Sequence, residues 1–541
     1  MVAPETHPAS GRPAGRFRPG FDLPGASIVI LAAAGVVALV IFDLSPPLAF
    51  NDDWMYSWSV RQLVAGQGLH SFPQSTALAL VQVVWGAGFS FGHPDQRLLR
   101  LSVVPLVLLT AWCSYRLARH LGADRFWSLT AGAALLGSPL FMANATSFMS
   151  DNFYTGLVMA IAASGVAWIT RGRWRWLCVA LLIMAPLQRQ LGITLVPALT
   201  LGLVLWKRPS WARQDSWAVA AIWILPAAAA LAANRLTVSQ PLYSVVAPSQ
   251  VNIWHAIFPL SAMLGLALIP FLAALAFRPA PKSGAKGGGW TESSWSLASA
   301  GLGVIGAIGC LVDLRQFGMI FPGNVLTPIG FTAILSGAKP PVFPGAVFRA
   351  LEIAAVTTFV LLFVLRRRSW TPRALGPAAL LLVLISASQF LPLLAVPWFI
   401  YDRYFFPVMA PLIPVIAVVA THANYQRAAR TWAAAAIAAG LVLYAIGEQD
   451  YLAWQAARDR ATQLAYGMAS PDRVQAGFEA NATYVELPMY ERTGHADLFA
   501  ILGPAHPQIT LRFASPGDQR PGVSYSSLAP GRIVLARASD R

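Results

Sequence analysis

Charge is scarce in this sequence. Of its 541 residues, 11% are Asp, Glu, Lys or Arg, against about 25% in soluble domains. A chain so poor in solvated side chains cannot cover itself with an ordinary water-soluble surface. Acids are the scarcer sign, with 23 Asp and Glu against 39 Lys and Arg. Cysteine is nearly missing: Cys113, Cys178 and Cys310 are the three present. All lie in or against apolar segments, with neither metal-ligand spacing nor the look of a disulfide framework, and read as small packing residues. There is no phosphate-cradling Gly loop, no Ser or Cys nucleophile signature and no nucleotide-binding domain, which argues against primary ATP-driven transport. His70, His93 and His255 lack metal-ligand spacing too. No tandem repeat is found.

What the sequence has in abundance is apolar blocks of near-bilayer length, about 20 residues each. The first runs from Ala26 to Phe42, and blocks recur to about Ala445. The reading is an all-α polytopic membrane domain of about 13 transmembrane helices. The segments are 25–43, 98–118, 126–142, 152–170, 174–187, 190–206, 216–234, 255–277, 295–312, 346–365, 374–395, 404–421 and 430–446. Basic residues gather in alternate loops, among them Arg116, Arg119 and Arg125, then Arg171, Arg173 and Arg175, then Arg366, Arg367 and Arg368. The positive-inside rule then puts the N-terminal tail, 1–24, in the cytoplasm and the C-terminus outside a plasma membrane, bacterial inner membrane being the expectation. The first block reads as a retained signal anchor. The same dispersal through short loops argues against nucleic acid as the reason for a net charge of +16.

The loops on the outer side carry the informative residues. The first, 44–97, opens on Asn51-Asp52-Asp53-Trp54. Trp54 to Val64 reads as an amphipathic helix in the headgroup region, and Thr76 to Phe91 as a helix at, or dipping into, the interface. Counting the latter as a span would invert every later loop. The second, 143–151, delivers Asp151, and the third, 313–345, is rich in Gly and Pro around Phe321-Pro322-Gly323-Asn324. Lys282 to Gly289 reads as a flexible cytoplasmic loop. Past Glu448 the composition changes, and 447–541 reads as a small external α+β domain. Its strands are expected at Tyr484 to Leu487, Gln508 to Phe513 and Arg532 to Ala536.

Charges beside a bilayer are costly and usually have a task. Asp52, Asp53 and Asp151 form an external, membrane-embedded set of acids. Glycosyl transfer from a polyprenyl-phosphate sugar suits such a pocket. Inverting displacement needs one base for the acceptor hydroxyl, and a carboxylate stabilises an oxocarbenium-like transition state. The departing phosphate needs cations more than an acid. Arg189 and Arg403 stand outside the cytoplasmic loops, against the charge bias, and are candidates to hold that phosphate. The plainer alternatives are helix caps and ion pairs: Asp52 or Asp53 as a cap, both with Arg61, Asp151 as an N-cap, Arg403 with Asp402 or a loop acid. Asn144-Ala145-Thr146 and Asn481-Ala482-Thr483 match the short glycosylation pattern.

The chain resembles the GT-C superfamily of membrane glycosyltransferases, in the branch of dolichyl-phosphate-mannose protein mannosyltransferases and lipid A aminoarabinose transferases. The resemblance rests on Asp52-Asp53 followed by Tyr56 and Gly66, on Arg97 to Leu101, on Ser150-Asp151, and on Arg403-Tyr404 with Pro407 and Pro411. It implies a polyprenyl-phosphate donor, inversion, and cations at the phosphate, with Tyr56 and Tyr404 beside Arg189 and Arg403 as substrate-binding residues. The family pair is usually Asp-Glu with the first acid as base. That role passes here to Asp52, and the Asp-Asp departure keeps Asp53 as an alternative. The acceptor is a lipid, a glycan or a protein hydroxyl. No cofactor is established; lone acids can bind a divalent metal, but the chemistry does not require one. Two other readings are a transporter or flippase of an amphipathic substrate, and a non-catalytic relative that binds lipid-linked sugar.

Overall fold

The computed structural model describes residues 23–42, 48, 50–73, 75, 77–206, 216–236, 254–276, 290–321, 325–331, 335–337, 339–365, 372–395, 401–421, 426–494, 503–504 and 506–537. The expected cytoplasmic loop 282–289 and Pro322-Gly323-Asn324 lie outside the described residues.

Each of the thirteen apolar segments is helical. By length and composition, seven described helices are able to cross a membrane, and nine if each of two bent pairs is one span. The chain is therefore an integral, multi-pass membrane protein. The count of thirteen is not reached by this criterion. Arg175–Gln188 and Gln190–Trp206 are short apolar helices, and they meet at an extended Arg189, with φ −144°. The bent pairs are Arg125–Leu136 with Pro139–Ala145, at 60°, and Asp402–Met409 with Leu412–Thr421, at 58°. Pro139 opens the second helix of the first pair, where its missing N–H costs nothing.

Helix Leu80–Phe89 has 10 residues. At 1.5 Å per residue it reaches about 15 Å, half of a hydrocarbon core of about 30 Å, so it does not cross. Helix Asp53–Val64 corrects the headgroup reading, because Asp53 through Val60 are buried. Its tryptophans meet aromatic partners within the protein instead of lipid headgroups. The Trp54 and Phe72 rings lie 4.9 Å apart, and Trp58 and Tyr490 5.4 Å.

Close helix packing is set by glycine. Gly137, ending Arg125–Leu136, faces Gly440 of the long helix Gln426–Tyr466, and a Cβ at Gly440 would overlap the carbonyl oxygen of Gly137. Small residues let membrane helices approach backbone to backbone, where packing rather than water drives association. Gly440→Ala is expected to push these helices apart and cost about 1–3 kcal/mol. A lowered melting temperature in detergent would report it, and an unchanged one would place the cross-over elsewhere.

Gln426–Tyr466 runs 41 residues without a break, about 60 Å at 1.5 Å per residue. That exceeds a bilayer core of about 30 Å, and the helix leads on into the C-terminal strands. The change of composition near Glu448 thus falls inside a helix. Beyond it, β4 (Val474–Gln475), β5 (Ile509–Phe513), β6 (Gly522–Tyr525) and β7 (Gly531–Arg537) form a sheet with β3 (Ser336–Gly337). The third loop, 313–345, contributes β3 and also holds a small hairpin of β1 (Leu326–Thr327) and β2 (Gly330–Phe331). β5 pairs antiparallel with β7 and parallel with β3 and β4, and β6 pairs antiparallel with β7. The expected strands at 508–513 and 532–536 are present. Tyr484 to Leu487 is helical instead, within a helical run that ends at Thr493. A run of four residues does not separate period 2 from period 3.6, and here Leu487 buries against the Trp54 and Trp58 cluster.

Lys339 ties the third loop to the long helix. Its Nζ lies 2.6 Å from Asp450 Oδ2, while Ser527 Oγ donates to Asp450 Oδ1 at 2.8 Å. Both Asn144 and Asn481 are buried, so neither glycosylation-type tripeptide presents its asparagine.

Candidate active site

Asn51 takes a left-handed backbone, φ 53°, a region that asparagine tolerates better than most residues. It immediately precedes Asp52, the N-cap of helix Asp53–Val64. Asp52 occupies the N-cap position but makes no capping hydrogen bond. Its Oδ2 accepts instead from Arg403 Nη2 at 3.0 Å. Arg403 Nε lies 3.5 Å from Asp151 Oδ2, and Arg189 Nη1 lies 3.0 Å from Asp151 Oδ1. The result is a buried chain, Asp52–Arg403–Asp151–Arg189. Asp151 is fully buried, whereas the Asp52 side chain keeps 14% of its exposure. Asp52 is the more exposed of the two acids.

Each member is held by local structure. Asp151 sits in the first turn of Ser150–Arg171, where the helix dipole favours a carboxylate. Arg189 lies at the break between two helices, and Gly192 closes that turn with an N–H to the Arg189 carbonyl at 2.7 Å. A Cβ on Gly192 would overlap the backbone of Ala185. Gln82 braces both approaches. Its side-chain amide donates to the Phe148 carbonyl at 2.8 Å, and its oxygen accepts from Gln188 Nε2 at 2.9 Å. Arg403 lies in the turn Asp402–Phe405. Of the two ion-pair partners expected for Arg403, Asp402 or a loop acid, the loop acids Asp52 and Asp151 stand on its guanidinium, and Asp402 is held by backbone amides. Its carboxylate accepts backbone N–H groups of Val325, Leu326 and Arg403, at 2.9, 3.3 and 2.9 Å, and so pins the third loop beside the site.

Two tyrosines complete the surround. Ser150 Oγ donates to Tyr56 Oη at 3.3 Å and accepts from Arg189 Nε at 3.3 Å. The Tyr404 ring packs under both guanidiniums, 5.3 Å from Arg189 and 5.6 Å from Arg403. Burial raises the Tyr56 phenol above its ordinary value, with Asp52 adding to the rise, which keeps it a neutral donor.

Six of the seven expected site residues therefore converge: Asp52, Asp151, Arg189, Arg403, Tyr404 and Tyr56. Asp53 does not join them. It is wholly buried and turns toward Arg100, whose Nε is 3.6 Å away. Gln96 Nε2 and the Phe148 N–H approach it at 3.3 and 3.4 Å. Burial lifts its carboxyl to about 6, against the pull of Arg100. The proposed pairing of both acids with Arg61 gives way to separate partners, Arg403 and Arg100. Sequence reasoning missed Arg100 as the structural partner of Asp53, although it sits in the quoted Arg97 to Leu101 stretch. It missed Gln82 and Gln188 as well, and a polar amide inside an apolar run was the available signal.

Burial also raises the Asp52 carboxyl above its ordinary value. Arg403 opposes that rise, while Asp151 and Glu479 add to it. Such a group is a better proton acceptor than an exposed aspartate once it is ionised.

No family model matches the chain, and no curated protein does. Among solved structures it is similar to that of ArnT from Cupriavidus metallidurans bound to undecaprenyl phosphate, at 13% identity and a TM-score of 0.41, over 95% of this chain and 98% of that one. The apo structure of the same protein gives 15% identity and a TM-score of 0.40 over the same shares. Likeness of that degree says nothing about chemistry.

Proposed function

We propose that this protein is a membrane glycosyltransferase that moves a sugar, with inversion, from a polyprenyl-phosphate donor to an acceptor hydroxyl at the outer face of the membrane. One observation carries the reading: a partly accessible carboxylate, Asp52, stands directly on one of two buried guanidiniums that share Asp151. Such a site offers a base and an anion clamp side by side, beside apolar helices able to hold a lipid tail.

In the proposed step the acceptor oxygen attacks the anomeric carbon, and its proton passes to Asp52. The carbon–oxygen bond to phosphate breaks, and the electron pair leaves on the polyprenyl phosphate. The phosphate gains one negative charge as it departs, and Arg403 and Arg189 are the cations in place to take it. Arg403 loses its hold on Asp52 as that carboxylate is protonated, which frees one arm of the fork for phosphate. Asp151 keeps both guanidiniums oriented, and Tyr404 gives them a shared face. Donor sugar, and acceptor among lipid, glycan and protein, are set by loops outside this cluster.

The test uses purified protein in lipid, a panel of polyprenyl-phosphate sugars and an envelope acceptor fraction, with released polyprenyl phosphate followed by mass spectrometry. Release with one donor supports the reading. No release from any donor, joined to movement of a lipid-linked substrate across vesicles, replaces it with the transporter reading. The pH profile adds a sign. Asp52 must be ionised to accept a proton, and its folded value is raised. The rate kcat/KM is therefore expected to fall, as pH drops, at a pH above that of an ordinary aspartate. A profile flat down to the ordinary carboxylate range would remove Asp52 as base.

A further inference from the structure

Glu479 brings the C-terminal segment up to the site. Glu479, fully buried, accepts the backbone N–H of Asn51 on Oε1 at 3.3 Å. Its other oxygen, Oε2, lies 2.8 Å from Arg458 Nη1, and both side chains are fully buried. Asn51 is the left-handed residue immediately before Asp52. A second grip lies two turns along the same helix, where Trp58 Nε1 donates to Glu491 Oε1 at 3.2 Å and the Trp58 ring meets Tyr490. The segment 478–493 thus holds the acid-bearing helix at its start and along its side.

We infer that Glu479 is a positioning residue for Asp52, fixing the left-handed Asn51 so that the Asp52 carboxylate meets Arg403. This rests on the glycosyl-transfer reading. The physical reason is specific. A buried ion pair is weak support for stability, since apolar residues of similar size often serve as well. The Glu479–Arg458 pair has a property that apolar residues lack, an acceptor for the Asn51 N–H. Without it that N–H loses a buried acceptor, and the strained backbone loses what holds it. The following residue would then swing relative to Arg403. The external domain in this arrangement is part of the catalytic geometry, not an appendage to it.

The experiment separates charge from acceptor. Glu479→Leu with Arg458→Met removes the ion pair and the acceptor together. Glu479→Gln with Arg458→Met removes the charges but keeps a carbonyl for Asn51. The Leu/Met protein is expected to lose kcat by about 10²-fold, since misplacement by 1 Å is that costly, with donor KM changed little. The Gln/Met protein is expected to recover most of that kcat. Placed on Asp52→Asn, the Leu/Met change should lower residual turnover no further, because it acts through Asp52. Amide exchange at Asn51 should be faster in Leu/Met than in Gln/Met. Equal kcat in the two double variants, or a further drop on Asp52→Asn, overturns the role of Glu479 alone. Absence of release by the parent protein overturns the reaction, and the role with it.

Discussion

Asp52→Asn is expected to lower kcat by about 10²–10⁴-fold, the usual worth of a positioned general base, while donor KM stays close to that of the parent. Asparagine has nearly the same shape and keeps an oxygen for Arg403, so the fold should survive and the loss should be chemical. Asp53→Asn is the matched control. Asp53 faces Arg100, Gln96 and the Phe148 N–H, not the cluster around Arg403. Its replacement should leave kcat within a few-fold and act on stability, since Arg100, 2% exposed, loses its anionic partner. Turnover is read as polyprenyl phosphate released, stability as melting temperature in detergent. A chemical loss in Asp53→Asn with normal Asp52→Asn would exchange the two roles.

The division of labour between two adjacent acids shows where sequence reasoning succeeds and where it stops. Apolar blocks announce helices because every backbone polar group in lipid must be satisfied within its own segment, and all thirteen blocks are helical. Sidedness of the arginines singled out Arg189 and Arg403 because a cation off the expected side needs a reason. Those signals are local. The separation of Asp52 from Asp53 shows in their partners, Arg403 for one and Arg100 for the other, and nothing in Asn-Asp-Asp-Trp states it. Likewise Asp402 was one of two partners offered to Arg403 by proximity in sequence, whereas the structure gives its carboxylate the Arg403 amide and the amides of Val325 and Leu326, 77 and 76 positions earlier. Long-range hydrogen bonds of this kind have no sequence period. Tryptophans 54 and 58 misled for a related reason. An aromatic side chain with a polar tip suits a headgroup layer and suits a buried ring cluster equally, and the positions of Phe72 and Tyr490 decide between them.

The largest combined effect is expected at Arg403. Arg403→Leu takes the guanidinium from Asp52, which it contacts at 3.0 Å, and leaves Asp151, 3.5 Å from that guanidinium in the parent, to Arg189. Removing one partner from a buried charge cluster costs about 3–5 kcal/mol, so low yield or a sharply lowered melting temperature is the expected outcome. That result alone would not separate fold from function. Arg403→Lys does, because it keeps the charge. An ammonium is a point charge on a flexible stem, without the planar fork that meets two carboxylates at once or clamps a phosphate by two bonds. The Lys protein should therefore fold, and still lose kcat/KM by a factor on the order of 10², in line with the loss of one transition-state donor. The loss should include a raised donor KM, unlike that of Asp52→Asn, because the phosphate is present in the ground state too. Normal turnover in a folded Lys protein would reduce Arg403 to an ion-pair partner and shift the phosphate to Arg189. A chain in which both arginines tolerate lysine would lack an anion clamp, and the glycosyl-transfer reading would lose the feature that distinguishes this site from a structural salt-bridge network.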